Sequence, residues 1–310
     1  MPRFVTIMIR WGEMVKFSHS VFALPFALMA TFLAGRSAFI AGTSTTIYPG
    51  VAQIGLIILC MVAARSAAMT FNRCADAAID ARNPRTAGRA IPAGIISKRQ
   101  AIVFFMTASV LFVLACAGFY LLDGNAWPVL LSGPVLAYLC FYSYTKRFTR
   151  WSHFVLGSSI GLSPAAAWMA IDPASLGWSA VILCGAVTFW IGGFDVIYAC
   201  QDVETDRREG LYSLPAGLGV GRALWVARTV HVLTVVLLVI LGFHAGLGWI
   251  YAVGVVIVTL LLLVENALVG PNRLARVNLA FFTMNSVVGV ILGLATILDI
   301  VLDLRPVFST

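Results

Sequence analysis

Charge is what this 310-residue chain has least of: 11% of its residues are Asp, Glu, Lys or Arg, against 60% apolar. Soluble domains carry roughly 25% charged residues, so a water-exposed globule is excluded. Cys-x-x-Cys pairs are absent from the six cysteines, which leaves no metal-type thiol pair and no disulfide framework. The four histidines, His19, His153, His231 and His244, stand far apart, and lone histidines give haem ligation no support. Basic runs are missing too; Lys and Arg are scattered over short loops, which argues against nucleic acid as a partner. Nor is there an Arg- and Ser-rich presequence, and this favours a bacterial plasma membrane over an organelle.

Apolar runs near 20 residues fill the rest, each enough to cross a bilayer core of about 30 Å. They are expected at about 17–36, 48–71, 101–122, 126–144, 154–171, 178–200, 223–242, 246–268 and 277–298. The first run exceeds the roughly 7–15 residues of a signal-peptide core, so it is expected as a span and not a cleaved leader. These runs predict an all-α integral membrane protein with nine transmembrane helices, one polytopic domain over 1–310 with the lipid bilayer as its surroundings.

Apart from Arg36, Arg65, Arg228 and Arg305, every Lys and Arg lies in the N-terminal segment or after an even-numbered span. Asp123, Asp172, Asp299 and Asp303 fall on the other side. The positive-inside rule then places the N-terminus in the cytoplasm, as expected for a multi-pass inner-membrane protein. Two loops on that side are long enough to matter. The first, about 72–100, carries Asn83-Pro84 and Pro92; the second, about 201–222, carries Gly210, Pro215, Gly217, Gly219 and Gly221. Each is expected to continue its span, then break, as a cap over the bundle.

Those two loops open on one pattern. Asn72, Asp76 and Asp80 recur as Tyr198, Asp202 and Asp206, and each set leads to Pro-Ala-Gly, at Pro92-Ala93-Gly94 and Pro215-Ala216-Gly217. Spacing of four puts both carboxylates of a pair on one face of a helix end. Four carboxylates brought together are costly unless cations neutralise them. Mg²⁺, a hard ion that takes oxygen ligands and bridges to phosphates, is the natural partner, with Asp76, Asp80, Asp202 and Asp206 as ligands. In a membrane chain this points to a diphosphate with a greasy tail.

Read backwards along each helix, Arg65 joins the stripe of Asn72, Asp76 and Asp80, and Asp195 joins that of Tyr198, Asp202 and Asp206. Ionisable groups two turns inside a membrane are functional candidates by default; the structural alternative is an Arg65–Asp195 ion pair. Cationic contacts to a diphosphate are available from Lys146 and Arg147 after the fourth span, from Arg82, Arg85 and Arg89, and from Arg207 and Arg208.

These motifs, N-x-x-x-D-x-x-x-D and Y-x-x-x-D-x-x-x-D, resemble those of the UbiA-type intramembrane aromatic prenyltransferases. The resemblance runs from Lys16-Phe17-Ser18-His19 through both motifs to the last span. Many such proteins carry Asp directly after the motif Asn, where this chain has Arg73. The resemblance implies nine helices around a central cavity. It also implies Mg²⁺-dependent transfer of a polyprenyl group from polyprenyl diphosphate to a ring carbon of an aromatic acid in quinone biosynthesis. Asn72 would assist the four aspartates in holding Mg²⁺; Asn72, Tyr198, Lys146, Arg147 and Arg207 would contact the diphosphate; Asp195 would activate the acceptor and Arg65 would pair with its carboxylate. 4-Hydroxybenzoate is the commonest such acceptor. Asn83–Arg89 and Tyr144–Arg147 also look similar to the branch that prenylates 1,4-dihydroxy-6-naphthoate. Transfer to a non-aromatic or porphyrin acceptor is a further alternative within the family; a transporter of anionic solutes is the distant one, but transporter sites sit near the midplane, whereas these acidic clusters lie at one face.

Overall fold

The computed structural model describes residues 11, 12, 14, 23–271, 273, 274, 277 and 284–302. The Lys16–His19 segment, Asp303 and Arg305 lie outside the described residues. All regular structure among the described residues is helical. In chain order the helices are α1 (Leu24–Ile40), α2 (Val51–Arg82), α3 (Lys98–Asp123), α4 (Trp127–Thr145), α5 (Ser152–Gly161), α6 (Ser163–Ile171), α7 (Trp178–Ala199), α8 (Val203–Arg208), α9 (Leu214–Leu218), α10 (Val220–His244), α11 (Trp249–Leu268) and α12 (Asn285–Val301). Six stretches are long and apolar enough to cross a membrane: α2, α3, α5 with α6, α7, α10 and α11. Helices α1, α4 and α12 occupy places where three further spans are expected.

Two helices show why a bilayer is the right surrounding. Val103, Met106, Val110, Leu114 and Leu121 stand exposed along one face of α3, and Val253, Val256, Leu260 and Leu263 along one face of α11. Steps of three, four and seven residues make each a continuous apolar stripe, turned outward where a soluble helix would turn it inward.

The chain divides into two compact units. The first holds residues 58–145 with 11, 12 and 14. Here α3 begins at Ser97, whose hydroxyl accepts from Gln100 N while Gln100 returns the bond in a capping box, contributing about 1 kcal/mol. It ends on Gly124, whose φ of 70° is the left-handed geometry that glycine adopts without strain. Ala63, Phe112 and Cys116 form its core, with Val129, Val135 and Leu136 against them.

The second unit holds 23–57 and the described residues from 146 onward. Its centre is α7, flanked by α5 and α10. Helix α5 lies almost backbone to backbone on α7: a Cβ on Gly157 would strike Thr188 O, and one on Gly161 the Thr188 hydroxyl. This Gly-x-x-x-Gly spacing suits close helix association where no water drives packing. On the other flank Gly193 gives room to the His231 ring. The span expected at 154–171 is divided at Leu162, because Pro164 lacks an N–H and cannot continue the ladder of α5. Two charges cap the turn between α10 and α11: Asp299 accepts from Gly248 N at 2.6 Å and Tyr251 N at 3.3 Å, and Arg36 donates to Ala245 O and Gly246 O.

Candidate active site

In the first unit α2 continues unbroken to Arg82, so residues 72–82 of the expected loop are helix. Asn72, Asp76 and Asp80 therefore share one face, one turn apart. Asn72 Nδ2 donates to Asp76 Oδ2 at 3.2 Å. Asp76 is 2% exposed and Asp80 5%, so both carboxylates lack water and need partners from the protein. Arg89 supplies one: its Nη1 reaches Asp80 Oδ1 at 2.7 Å and Oδ2 at 2.8 Å. The turns of 83–96 bring it there. Thr86 Oγ1 donates to Asp80 O at 3.0 Å, and Asn83 Oδ1 accepts from Arg85 N at 2.9 Å. Arg73 is buried within electrostatic reach of Arg89, Asp80 and Asp76, so the residue that departs from the usual pattern places a cation beside this motif. Arg65, deeper on α2, has a buried Nε that makes no hydrogen bond.

The second motif has the same spacing and a different local structure. A single helical stripe through Asp195, Tyr198, Asp202 and Asp206 is expected, and this needs correction. Helix α7 ends at Ala199, Asp202 is the N-cap of α8, and Asp206 lies inside α8. The pair still stays one turn apart, since Asp206 N donates to Asp202 O at 2.8 Å. Asp202 does not spend its side chain on capping α8. Asp206 Oδ2 accepts from the Ser213 hydroxyl at 2.7 Å. Burial pushes the Asp206 carboxyl above its ordinary range and Asp202 adds to this; the Ser213 bond and the Lys146 charge act against it. Ser213 also caps α9, so Pro215-Ala216-Gly217 is helical, whereas Pro92-Ala93-Gly94 is a turn with Gly94 at φ 70°.

The segment 146–153 is stitched to the segment 212–214. Tyr212 N donates to Lys146 O at 2.7 Å, and Ser152 Oγ to Tyr212 O at 3.4 Å. Lys146 thus stands with the second motif, and Arg147 follows it on the exposed surface. Arg207 Nε is committed to Ala216 O at 3.1 Å. Tyr198 packs against the core formed by Val196, Leu214 and Leu224.

Asp195 is not isolated: His153 Nδ1 lies 2.7 Å from its Oδ2. No local pattern marks His153 in the sequence, because its partner is 42 residues away, on another helix. The contact joins α5 to α7, so finding it requires knowing which helices pack together.

Among the described residues no three His, Cys, Asp or Glu side chains converge to hold a metal by themselves. What each unit offers is a pair of carboxylates one turn apart. That donor set fits Mg²⁺, which binds through one or two carboxylates and fills its remaining positions with water and substrate phosphate.

The UbiA prenyltransferase family matches residues 11–287. The 4-hydroxybenzoate octaprenyltransferase of Citrobacter koseri is 29% identical over 251 residues, covering 79% of this chain and 83% of that protein. The apo structure of a UbiA homologue from Aeropyrum pernix K1 is similar at a TM-score of 0.78 and 31% identity, over 91% of this chain and 98% of that one. A UbiA homologue from Archaeoglobus fulgidus, solved with GPP and Mg²⁺, shares the fold at a TM-score of 0.63 and 17% identity, over 93% and 99% of the two chains.

Proposed function

Because this chain belongs to the UbiA prenyltransferase family and is a multi-pass membrane prenyltransferase, we propose that it transfers a polyprenyl group from polyprenyl diphosphate to a ring carbon of an aromatic carboxylic acid, with 4-hydroxybenzoate as the acceptor. The observation that carries this reading is the pairing of carboxylates at equal spacing, each pair supported by its own partner: Asn72 on Asp76, Arg89 on Asp80, Ser213 on Asp206. Such spending of buried polar groups has a purpose if a charged ligand arrives.

Asp76, Asp80, Asp202 and Asp206, with Asn72, would hold Mg²⁺. When bound, the metal supplies charge neutralisation for the leaving diphosphate. Lys146 and Arg147, with Tyr198 and Arg207, would bind that group and stabilise the charge it gathers. The bond between the allylic carbon and the diphosphate oxygen breaks, the aromatic ring forms the new carbon–carbon bond, and the ring loses a proton. Asp195 would take the ring proton or polarise the acceptor hydroxyl. Arg65, whose Nε is buried without a partner, suits the acceptor carboxylate through its forked donors. The distribution of Lys and Arg supports the N-terminus and both motifs on the cytoplasmic side of the membrane; nine spans around a central cavity, in a plasma membrane, complete the reading.

The similarity of Asn83–Arg89 and Tyr144–Arg147 to another branch keeps 1,4-dihydroxy-6-naphthoate as the second acceptor to test. The experiment is prenyl transfer in membranes containing this chain, with labelled polyprenyl diphosphate, Mg²⁺ and each acceptor in turn. A lipid-soluble product with 4-hydroxybenzoate supports the reading. Product only with the naphthoate moves the acceptor, and none with either overturns the assignment.

A further inference from the structure

Three contacts in the second unit form one line. Asp195 Oδ2 meets His153 Nδ1 at 2.7 Å; His153 Nε2 meets Leu214 N at 3.3 Å; and Ser213, the adjacent residue, binds Asp206 Oδ2 at 2.7 Å. A backbone N–H can only donate, so His153 Nε2 accepts, and the ring proton belongs on Nδ1, where it donates to Asp195. The imidazole is thus committed at both nitrogens. With its side chain 5% exposed it cannot reach substrate, whereas the Asp195 side chain keeps 24% exposure.

The backbone holds this arrangement tightly. His153, Gly157 and Gly161 lie at successive turns of α5, on the face that presses on α7. Added Cβ atoms would meet α7 at Gly157 and Gly161, and one on Gly192 would meet Phe154 at 2.7 Å and His153 O at 3.5 Å. Asp195 follows Gly192 by one turn. Two backbones this close leave no slack in the His153–Asp195 distance.

We propose that His153 is a positioning residue that fixes the Asp195 carboxylate and ties it to the 213–214 turn, so that Asp195 and the Asp206-bearing segment move as one body. This rests on the reading of Asp195 as the acceptor-activating base and adds the residue that orients it. The device fits the chemistry. Asp195 must meet a ring carbon that becomes electrophile-bound only after the diphosphate leaves, and Asp206 belongs to the group that handles that departure. Misplacement by about 1 Å costs on the order of 100-fold in rate.

The test compares His153→Ala, His153→Gln, Asp195→Asn and the double variant His153→Ala/Asp195→Asn, each as the full chain in lipid nanodiscs. Gln keeps one donor and one acceptor at the spacing of an imidazole. His153→Ala is expected to lower kcat about 10- to 100-fold with little change in KM for polyprenyl diphosphate. His153→Gln recovers most of it. The double variant is expected to be no slower than Asp195→Asn, because the two residues act as one unit. The second readout does not depend on turnover: amide hydrogen exchange across 212–216 is expected to speed about fivefold in His153→Ala and to return toward wild type in His153→Gln. Unchanged exchange in His153→Ala overturns the tether even if the chain proves inactive on every acceptor. Faster exchange with undiminished kcat, or multiplicative losses in the double variant, overturns the positioning role. Absence of turnover in the unmodified chain counts against the proposed reaction, and the exchange data then decide the tether alone.

Discussion

The two acidic motifs share a spacing and little else. The first sits on a helix that runs straight through it, with Asp76 and Asp80 buried and Arg89 gripping Asp80 through both oxygens. The second straddles a helix break, with Asp202 at a cap and Asp206 on a short helix held by a serine hydroxyl. Asp80 of the first motif is braced by a cation on a rigid rod; Asp206 of the second is braced by a hydroxyl on a folded loop. A sequence repeat therefore conserves donor spacing, while each copy finds its own way to support the donors. The bracing differs in strength as well, because Arg89 sets a full positive charge against Asp80 whereas the Ser213 hydroxyl sets only a dipole against Asp206.

Chelation should have the largest effect and treat both motifs alike. EDTA is expected to abolish prenyl transfer in membranes, with Mg²⁺ restoring it; turnover that survives EDTA would remove the shared role of the carboxylates. Next come the single carboxylates. Asp76→Asn and Asp202→Asn are each expected to cost about 100- to 1,000-fold in kcat, as for loss of one element of transition-state charge stabilisation. If only one of them does so, the motifs differ in function as well as in bracing.

The remaining predictions concern the braces. Arg89→Ala removes the cation from Asp80 and is expected to destabilise the detergent-solubilised protein by about 2 kcal/mol, read as a lower melting temperature. A stability equal to the parent's would show that the ion pair is not the first motif's support. Ser213→Ala should cost about 1.5 kcal/mol in the same measurement, the lower end for a hydrogen bond to a charged group. A larger loss than that of Arg89→Ala would reverse the ranking of the two braces.

The span positions were legible because a bilayer demands long uninterrupted apolar runs, and a run of that kind is a local property. Helix α3 begins within a few residues of its expected start and ends one residue past its expected end. The breaks were harder. Pro164 is visible in the sequence, but whether a proline bends or divides a span depends on what packs beside it. The end of α7 at Ala199 has no proline or glycine to announce it, so a continuous stripe to Asp206 was the natural expectation. Asp76, Asp80, Asp202 and Asp206 were found from spacing. Arg89 was one of several loop cations until the turns of 83–96 folded it onto Asp80.

By itself, then, the sequence determined that the chain lives in a membrane, that its carboxylates come in pairs one turn apart, and which residues are the rare ionisable groups inside the spans. These follow from composition and from the period of the helix, which act over a few residues. Tertiary structure alone decided who holds whom: Arg89 on Asp80, Ser213 on Asp206, and His153 between Asp195 and the 213–214 turn. Those contacts depend on close packing of helices distant in sequence, above all on Gly157 and Gly161 letting α5 touch α7. The angle and depth at which two helices meet come from the whole interface, and no local spacing encodes them.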